Sequence, residues 1–180
     1  GRKLRMTEVE KNEIYYAALL HDVGMVTIPK ELVNAPRKLK EEEVNFIHGH
    51  VASAEGILQD KLSKEIIKIV STHHERFDGS GYPRGLKGKA MDTKDAILQI
   101  AEVVVNLSVD KPYRKAYTKD EIVTELNNGI VTGVYDGKVA DIFLKNYDEI
   151  MALASEKAKS VLITHQKLQL SYEKIHKSFT

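Results

Sequence analysis

The sequence predicts an all-α protein, and three observations carry that reading. Apolar residues recur at helical spacing, side-chain caps stand directly before the periodic runs, and no alternating stretch is long enough to trust as a strand. Thr7-Glu8-Val9-Glu10 is a capping box, and Ile14, Ala17, Ala18 and His21 follow on one face, so a helix is expected over 8–22. Gly24, Pro29 and Pro36 then enforce a loop with room for one short turn. Val44, Ile47, Val51, Ala54 and Leu58 share a face, which predicts a second helix over 40–58. Ser63 can cap a third, over 64–74, and a loop containing Gly79, Gly81, Pro83, Gly85 and Gly88 comes next.

Asp92 can cap a fourth helix, over 93–108, which is apolar almost all round and is therefore expected to be buried, with Glu102 inside it in need of a partner. Thr118-Lys119-Asp120-Glu121 is a second capping box, opening a helix to about 128, and 129–137 reads as a loop. From 138 to 177 there is neither Gly nor Pro. Met151, Ala154, Ala158, Val161, His165, Leu168, Tyr172, Ile175 and Phe179 are spaced alternately three and four apart. That is a heptad seam, which either lies along its own domain or forms a coiled coil that pairs two chains in a homodimer or leads to another domain. The expected division is 1–147 for a compact domain and 148–180 for the long C-terminal helix.

Composition narrows the chemistry. The 180 residues suit one domain, or one domain with an appendage. Lys and Arg total 27 against 26 Asp and Glu, a net charge of +1, which argues against duplex nucleic acid or an anionic membrane as partner. No run of 18 apolar residues occurs, so no membrane span is expected, and with no signal peptide visible a cytoplasmic location is expected. The chain opens Gly-Arg-Lys and its first Met is Met6, which reads as a piece of a longer parent. There is no cysteine, so thiolate metal sites, disulfides and a cysteine nucleophile are excluded, whereas there are seven His.

Four places carry chemistry: His21-Asp22, His50, His73-His74 and Glu102. His48 and His50 are two apart, about 200° around a helix, so both cannot face one site and one is expected to be solvated. Imidazole and carboxylate ligands without thiolate suit Fe, Mn, Zn or Ni. Adjacent His-Asp offers a terminal ligand and a carboxylate able to bridge two ions. Two ions roughly 3.5–4 Å apart hold a bridging hydroxide that attacks phosphorus while both neutralise the developing charge. In the loop that follows, Gly79 and Gly81 permit close backbone approach, Tyr82 offers a face for stacking on a base, and Arg76, Arg84 and Lys87 offer charge to phosphate.

His73 to Gly88, HHERFDGSGYPRGLKG, resembles almost letter for letter the signature loop of the HD-GYP proteins, a branch of the HD metal-dependent phosphohydrolases. AALLHDVG around His21-Asp22 is similar to that family's His-Asp motif, and KPYRKA at Lys111–Ala116 to its Arg-Pro-Tyr-Arg segment. The resemblance implies an HD-type helical domain with two or three divalent transition-metal ions, Fe or Mn before Zn or Ni. It also implies hydrolysis of cyclic di-GMP to the linear dinucleotide or GMP, some relatives acting on cyclic GMP-AMP. Carried over, it makes His21, Asp22, His50, His73, His74 and Glu102 metal ligands, with His21 and Asp22 the catalytic pair. It gives Tyr82, Lys111 and Arg114 to the substrate, and Arg84 joins them for its charge.

Four departures stand against it. Met25 replaces the usual Lys, Glu102 replaces an Asp, Lys111 replaces an Arg, and no His precedes His21 although the family's first His ligand lies on an upstream helix. Two functions are therefore expected as alternatives: a metal-dependent cyclic dinucleotide phosphodiesterase, or a degenerate domain that binds a cyclic dinucleotide or a partner protein without turnover.

Overall fold

The computed structural model describes residues 2–111 and 114–177, so Pro112, Tyr113 and the seam residue Phe179 lie outside the described residues, as do the side chains of His165, Tyr172 and Ile175. The helices are α1 (Glu8–Leu20), α2 (Lys30–Val33), α3 (Glu41–His48), α4 (His50–Leu58), α5 (Lys64–Thr72), α6 (Thr93–Leu107), α7 (Lys119–Val131), α8 (Gly137–Lys145) and α9 (Tyr147–Lys177). Short 3-10 turns occupy Arg2–Leu4, Val23–Thr27 and Gly88–Ala90. Among the described residues there is no strand, only isolated bridges at Asp78–Lys87 and Lys111–Arg114.

The expected helix starts are where the caps stand. Thr7 and Thr118 form complete capping boxes with Glu10 and Glu121. The Ser63 hydroxyl accepts from the Ile66 N–H, and the Asp92 carboxylate accepts from the Lys94 and Asp95 N–H groups. Each such bond satisfies a donor that the first helical turn leaves without a partner.

Four expectations are corrected. The single helix over 40–58 is two, because Gly49 bonds back to Phe46 and interrupts the ladder between α3 and α4. The 129–137 loop is shorter than expected: α7 runs on through Gly129 to Val131 and Gly137 already opens α8. The last segment is broken at Asn146, whose side-chain amide donates to the Ile142 carbonyl. Finally, α6 is not buried all round, since Ala101 and Val105 face outward while Ala96, Leu98, Ile100 and Val104 are buried.

The chain forms two compact units, Gly1–Asp141 and Ile142–Thr180. In the first, α5 is central, in contact with α1, α4 and α6. Ile66, Ile69 and Val70 of α5 meet Ala17 of α1, Ala54 and Leu58 of α4 and Leu98 of α6 in one apolar cluster. Small residues at 17 and 54 let these helices approach closely, which is what brings their ends together. The turn after α1 is held against α4 more tightly still. A Cβ on Gly24 would lie 1.9 Å from the His50 carbonyl oxygen and 2.7 Å from the Ala54 nitrogen. Only a residue without a side chain fits there.

In the second unit α9 is a 31-residue helix on which Leu153, Val161, Ile163 and Leu168 are exposed. Among the described residues no helix is long and apolar enough to cross a membrane.

Gly24→Ala must push this turn off α4. The expected cost is about 1–3 kcal/mol, read as a lower urea midpoint at unchanged slope; an unchanged midpoint would show that the turn yields freely.

Candidate metal centre

The close packing of α1, α4 and α5 gathers histidines from helix ends. His21 follows α1, His50 opens α4, and His73 and His74 follow α5. In three of them the ring is fixed the same way: Nδ1 lies 2.8 Å from the Ala18 carbonyl oxygen for His21, 2.6 Å from that of Ile47 for His50, and 2.5 Å from that of Val70 for His73. A carbonyl only accepts, so each Nδ1 carries the proton; this leaves Nε2 of His50 and His73 as bare lone pairs, whereas Nε2 of His21 donates to the Asp22 carboxylate. Nε2 of His21 lies 3.2 Å from Oδ2 of Asp22, and Nε2 of His50 lies 3.4 Å from its Oδ1. His50 and His73 point Nε2 at each other at 3.3 Å.

One ligand atom from each of Asp22, His50, His73 and His74 lies within 4.8 Å of the other three. Ligands about 2.1 Å from a common ion stand roughly 3.0–3.4 Å apart, so the facing His50 and His73 nitrogens have the separation of a shared cation. Protonation favours the same outcome. Burial lowers His73 to about 4 and His74 to about 2, keeping both neutral. The hydrogen bond from His21 holds Asp22 near 2, keeping it ionised, and the same contact raises His21. Neutral imidazole and charged carboxylate are the forms that ligate.

His21 and Glu102 stand beside this group of four. Oε1 of Glu102 lies 3.4 Å from His74 Nδ1, while its Oε2 is buried without a hydrogen-bond partner among the described residues. Burial pushes its carboxyl up to about 7. An orphaned buried oxygen beside histidine nitrogens is what a second cation would satisfy, so the donor set fits divalent metal.

The expected substrate residues are less uniformly placed. Tyr82 stacks on His74, centroids 4.6 Å apart and planes at 27°. Lys111 Nζ donates to Asn106 Oδ1 at 3.0 Å, and Asn106 Nδ2 donates to Glu102 Oε1 at 3.4 Å, so Lys111 connects to the centre through an amide. Arg84 turns its guanidinium to Ser71 Oγ of α5, where it lines a cavity of about 220 Å³ with Glu55, Lys64, Ile67 and Lys68. Arg114 donates to the carbonyls of Asn106 and Lys115, at 2.9 and 2.8 Å, and lies 4.5 Å over the Tyr117 ring, capping the end of α6.

Three contributors were not legible in the sequence. His48 is only partly exposed and lies flat on Tyr82, centroids 3.6 Å apart and planes at 12°. A divergence of about 200° between His48 and His50 holds only along one continuous helix, and Gly49 interrupts it. Asn106 gave no signal beyond lying four residues after Glu102. Glu75 is fully buried, and its carboxylate accepts from the Arg84 and Leu86 N–H groups at 2.7 and 2.8 Å, holding the loop against the end of α5. The same loop closes on itself at Gly81, where a Cβ would lie 2.4 Å from the Arg76 nitrogen and 2.5 Å from the Glu75 carbonyl carbon.

Comparison with known proteins gives the family. The family model described as HD domain matches residues 1–139. The chain is 31% identical over 155 residues to 3'3'-cGAMP-specific phosphodiesterase 1 of Vibrio cholerae, covering 86% of this chain and 36% of that one. It is 36% identical over 129 residues to the cyclic di-GMP phosphodiesterase response regulator RpfG of Xanthomonas campestris pv. campestris, covering 70% of this chain and 34% of that one. It is 33% identical over 153 residues to a cyclic di-GMP phosphodiesterase of Thermotoga maritima, covering 83% and 41%. The chain thus spans roughly a third of the length of these curated relatives. The structure of Bd1817, an HDG"Y"P protein from Bdellovibrio bacteriovorus, shares the fold with a TM-score of 0.64 at 24% identity, covering 82% of this chain and 47% of that one. Signature loop, helical fold and relatives agree: the chain belongs to the HD domain family, in its HD-GYP branch.

Proposed function

We propose that this chain is a metal-dependent phosphodiesterase domain that hydrolyses a cyclic dinucleotide, cyclic di-GMP first, to the linear dinucleotide or GMP. The observation that carries the reading is the meeting of Asp22, His50, His73 and His74 directly beneath the Tyr82 loop. Relatives named as cyclic di-GMP and 3'3'-cGAMP phosphodiesterases support the substrate class. Two ions are proposed, Fe or Mn, one held by the group of four and a second by His21, Asp22 and Glu102. When bound, such ions supply Lewis-acid charge neutralisation and an acidified water.

The residues do the rest. Asp22 is half-exposed and faces both His21 and His50, so it holds negative charge at the mouth of the site. His73 and His74 stay neutral at neutral pH, so each keeps one nitrogen lone pair available. Lys111, tethered through Asn106, places a cation at the rim for a substrate phosphate. Messenger hydrolysis is an intracellular task, so the proposal carries a cytoplasmic location.

A second reading keeps its support. Met25 lies in the turn directly after Asp22, and the next cation along the chain is Lys30. A thioether cannot stabilise developing negative charge, which favours a domain that binds the cyclic dinucleotide, or a partner protein, without turnover.

Incubation with cyclic di-GMP and added Mn(II) or Fe(II), followed by chromatography, is expected to yield linear dinucleotide or GMP. Intact ligand bound tightly with no product would establish the second reading. His73→Ala is expected to lower Mn(II) affinity by at least the roughly 10–100-fold that loss of an outer-shell partner costs, and to abolish turnover with it; retained metal would remove His73 from the ligand set. Met25→Lys should raise turnover about tenfold or more if the missing cation limits the reaction, an electrostatic contribution of about 1.4 kcal/mol to the barrier. The α9 seam is expected to pair two chains, so light scattering should give the mass of a dimer, and a monomer would sink that assignment.

A further inference from the structure

The Tyr82 ring has no free face. Two rings stack on it, His48 at 3.6 Å and His74 at 4.6 Å. Rings that near one partner and that close to parallel with it cannot share a face, because they would overlap edge to edge. They therefore lie on opposite faces, in the order His74, Tyr82, His48.

Tyr82 cannot retreat from this sandwich. Its backbone N–H donates to the His74 carbonyl, Gly81 before it is packed against the Glu75 and Arg76 backbone, and Arg84 and Leu86 after it are pinned by the Glu75 carboxylate. His74 is equally fixed, as one of the four convergent ligands. His48 alone can yield. It is the last residue of α3, partly exposed, followed by Gly49, and no hydrogen bond to a described residue holds its ring. The stack is what keeps it in place.

We propose that His48 is a gate on the base site: its imidazole occupies the place of a nucleobase on Tyr82 and swings out when a base arrives. The inference rests on reading this site as one for a cyclic dinucleotide. A purine has two fused rings against one small imidazole, so it offers the larger stacking surface and displaces the side chain. A ligand without a base gains nothing by the exchange. The gate therefore selects for flat heteroaromatic groups and puts a fixed cost on every base that binds. His48 is on this account a specificity-determining residue, acting on base recognition and not on the chemistry at phosphorus.

The test uses Mn(II)-loaded protein and calorimetry with two probes, GMP and ribose 5-phosphate, which carry the same phosphate with and without a base. His48→Ala is expected to tighten GMP about 3–10-fold, the worth of one aromatic stack, and to leave ribose 5-phosphate unchanged. Adding Tyr82→Leu to it should erase the gain. His48→Phe, which keeps a ring on Tyr82 and stacks more strongly, is expected to weaken GMP. Unchanged or weaker GMP binding by His48→Ala overturns the gate while leaving the phosphodiesterase reading intact. An equal gain for both probes also overturns it, since a merely loosened site would not distinguish them. If neither wild type nor variant binds GMP while both bind Mn(II), the nucleotide reading itself fails and the gate falls with it.

Discussion

One buried carboxylate organises the site. Glu75 follows the paired histidines and is completely enclosed. Its N–H donates to Thr72 at the end of α5, its carbonyl accepts from Gln99 of α6 at 2.5 Å, and its carboxylate receives the N–H groups of Arg84 and Leu86. A charge buried this deeply is tolerated only because each oxygen is met by a backbone donor. Charge-assisted bonds of this kind are worth about 1.5–3 kcal/mol each, and removing the acceptor would strand two donors in the interior as well. The Gly-rich loop is also tied by the Tyr82 N–H to the His74 carbonyl and by the Phe77 N–H to the Val134 carbonyl, but it is Glu75 that grips it on the far side of Pro83 through two backbone donors. Its position over the histidines, and hence the posture of Tyr82, follows from Glu75.

The histidines solve two problems with one bond. A helix ends with carbonyls that have no partner inside the helix. His21 and His73 each donate Nδ1–H to such a carbonyl three residues back, after α1 and α5. His50 does the same to Ile47 of α3 across the Gly49 break. The bond that satisfies the helix end also fixes the tautomer and aims Nε2 inward. Ring orientation at the centre is therefore a property of helix termini, and it exists before any ion arrives.

How much of this was legible follows from range. The caps at Thr7, Ser63, Asp92 and Thr118 read correctly because a cap and its donors lie within three residues. The apolar periodicity of α1 and α5 read correctly for the same reason, and the family signature selected His50. The break at Gly49 was not legible, since glycine inside a helical pattern is more often tolerated than not, and the misplacement of His48 followed from it. Burial of α6 was overstated because its outward residues, Ala101 and Val105, are as apolar as its inward ones, so pattern alone gives no face to choose. Arg84 and Arg114 carry the right charge for phosphate, yet their hydrogen bonds go to Ser71 and to the end of α6, and no local pattern distinguishes a guanidinium that caps from one that waits for a ligand.

The turn after α1 places two neighbouring positions under opposite constraints. Gly24 is shut by the backbone of α4, so the path of the chain past Asp22 is set by main-chain contact and not by any side chain nearby. Met25, next to it, is not fully buried and makes its backbone bonds whatever side chain it bears. Sequence drift can therefore remove a cation at position 25 without disturbing the carboxylate three residues before it. On the proposed function, holding an ion at Asp22 and supplying a cation at position 25 are thus separable demands, and a single substitution at Met25 can alter the second while leaving the main-chain path at Gly24 untouched.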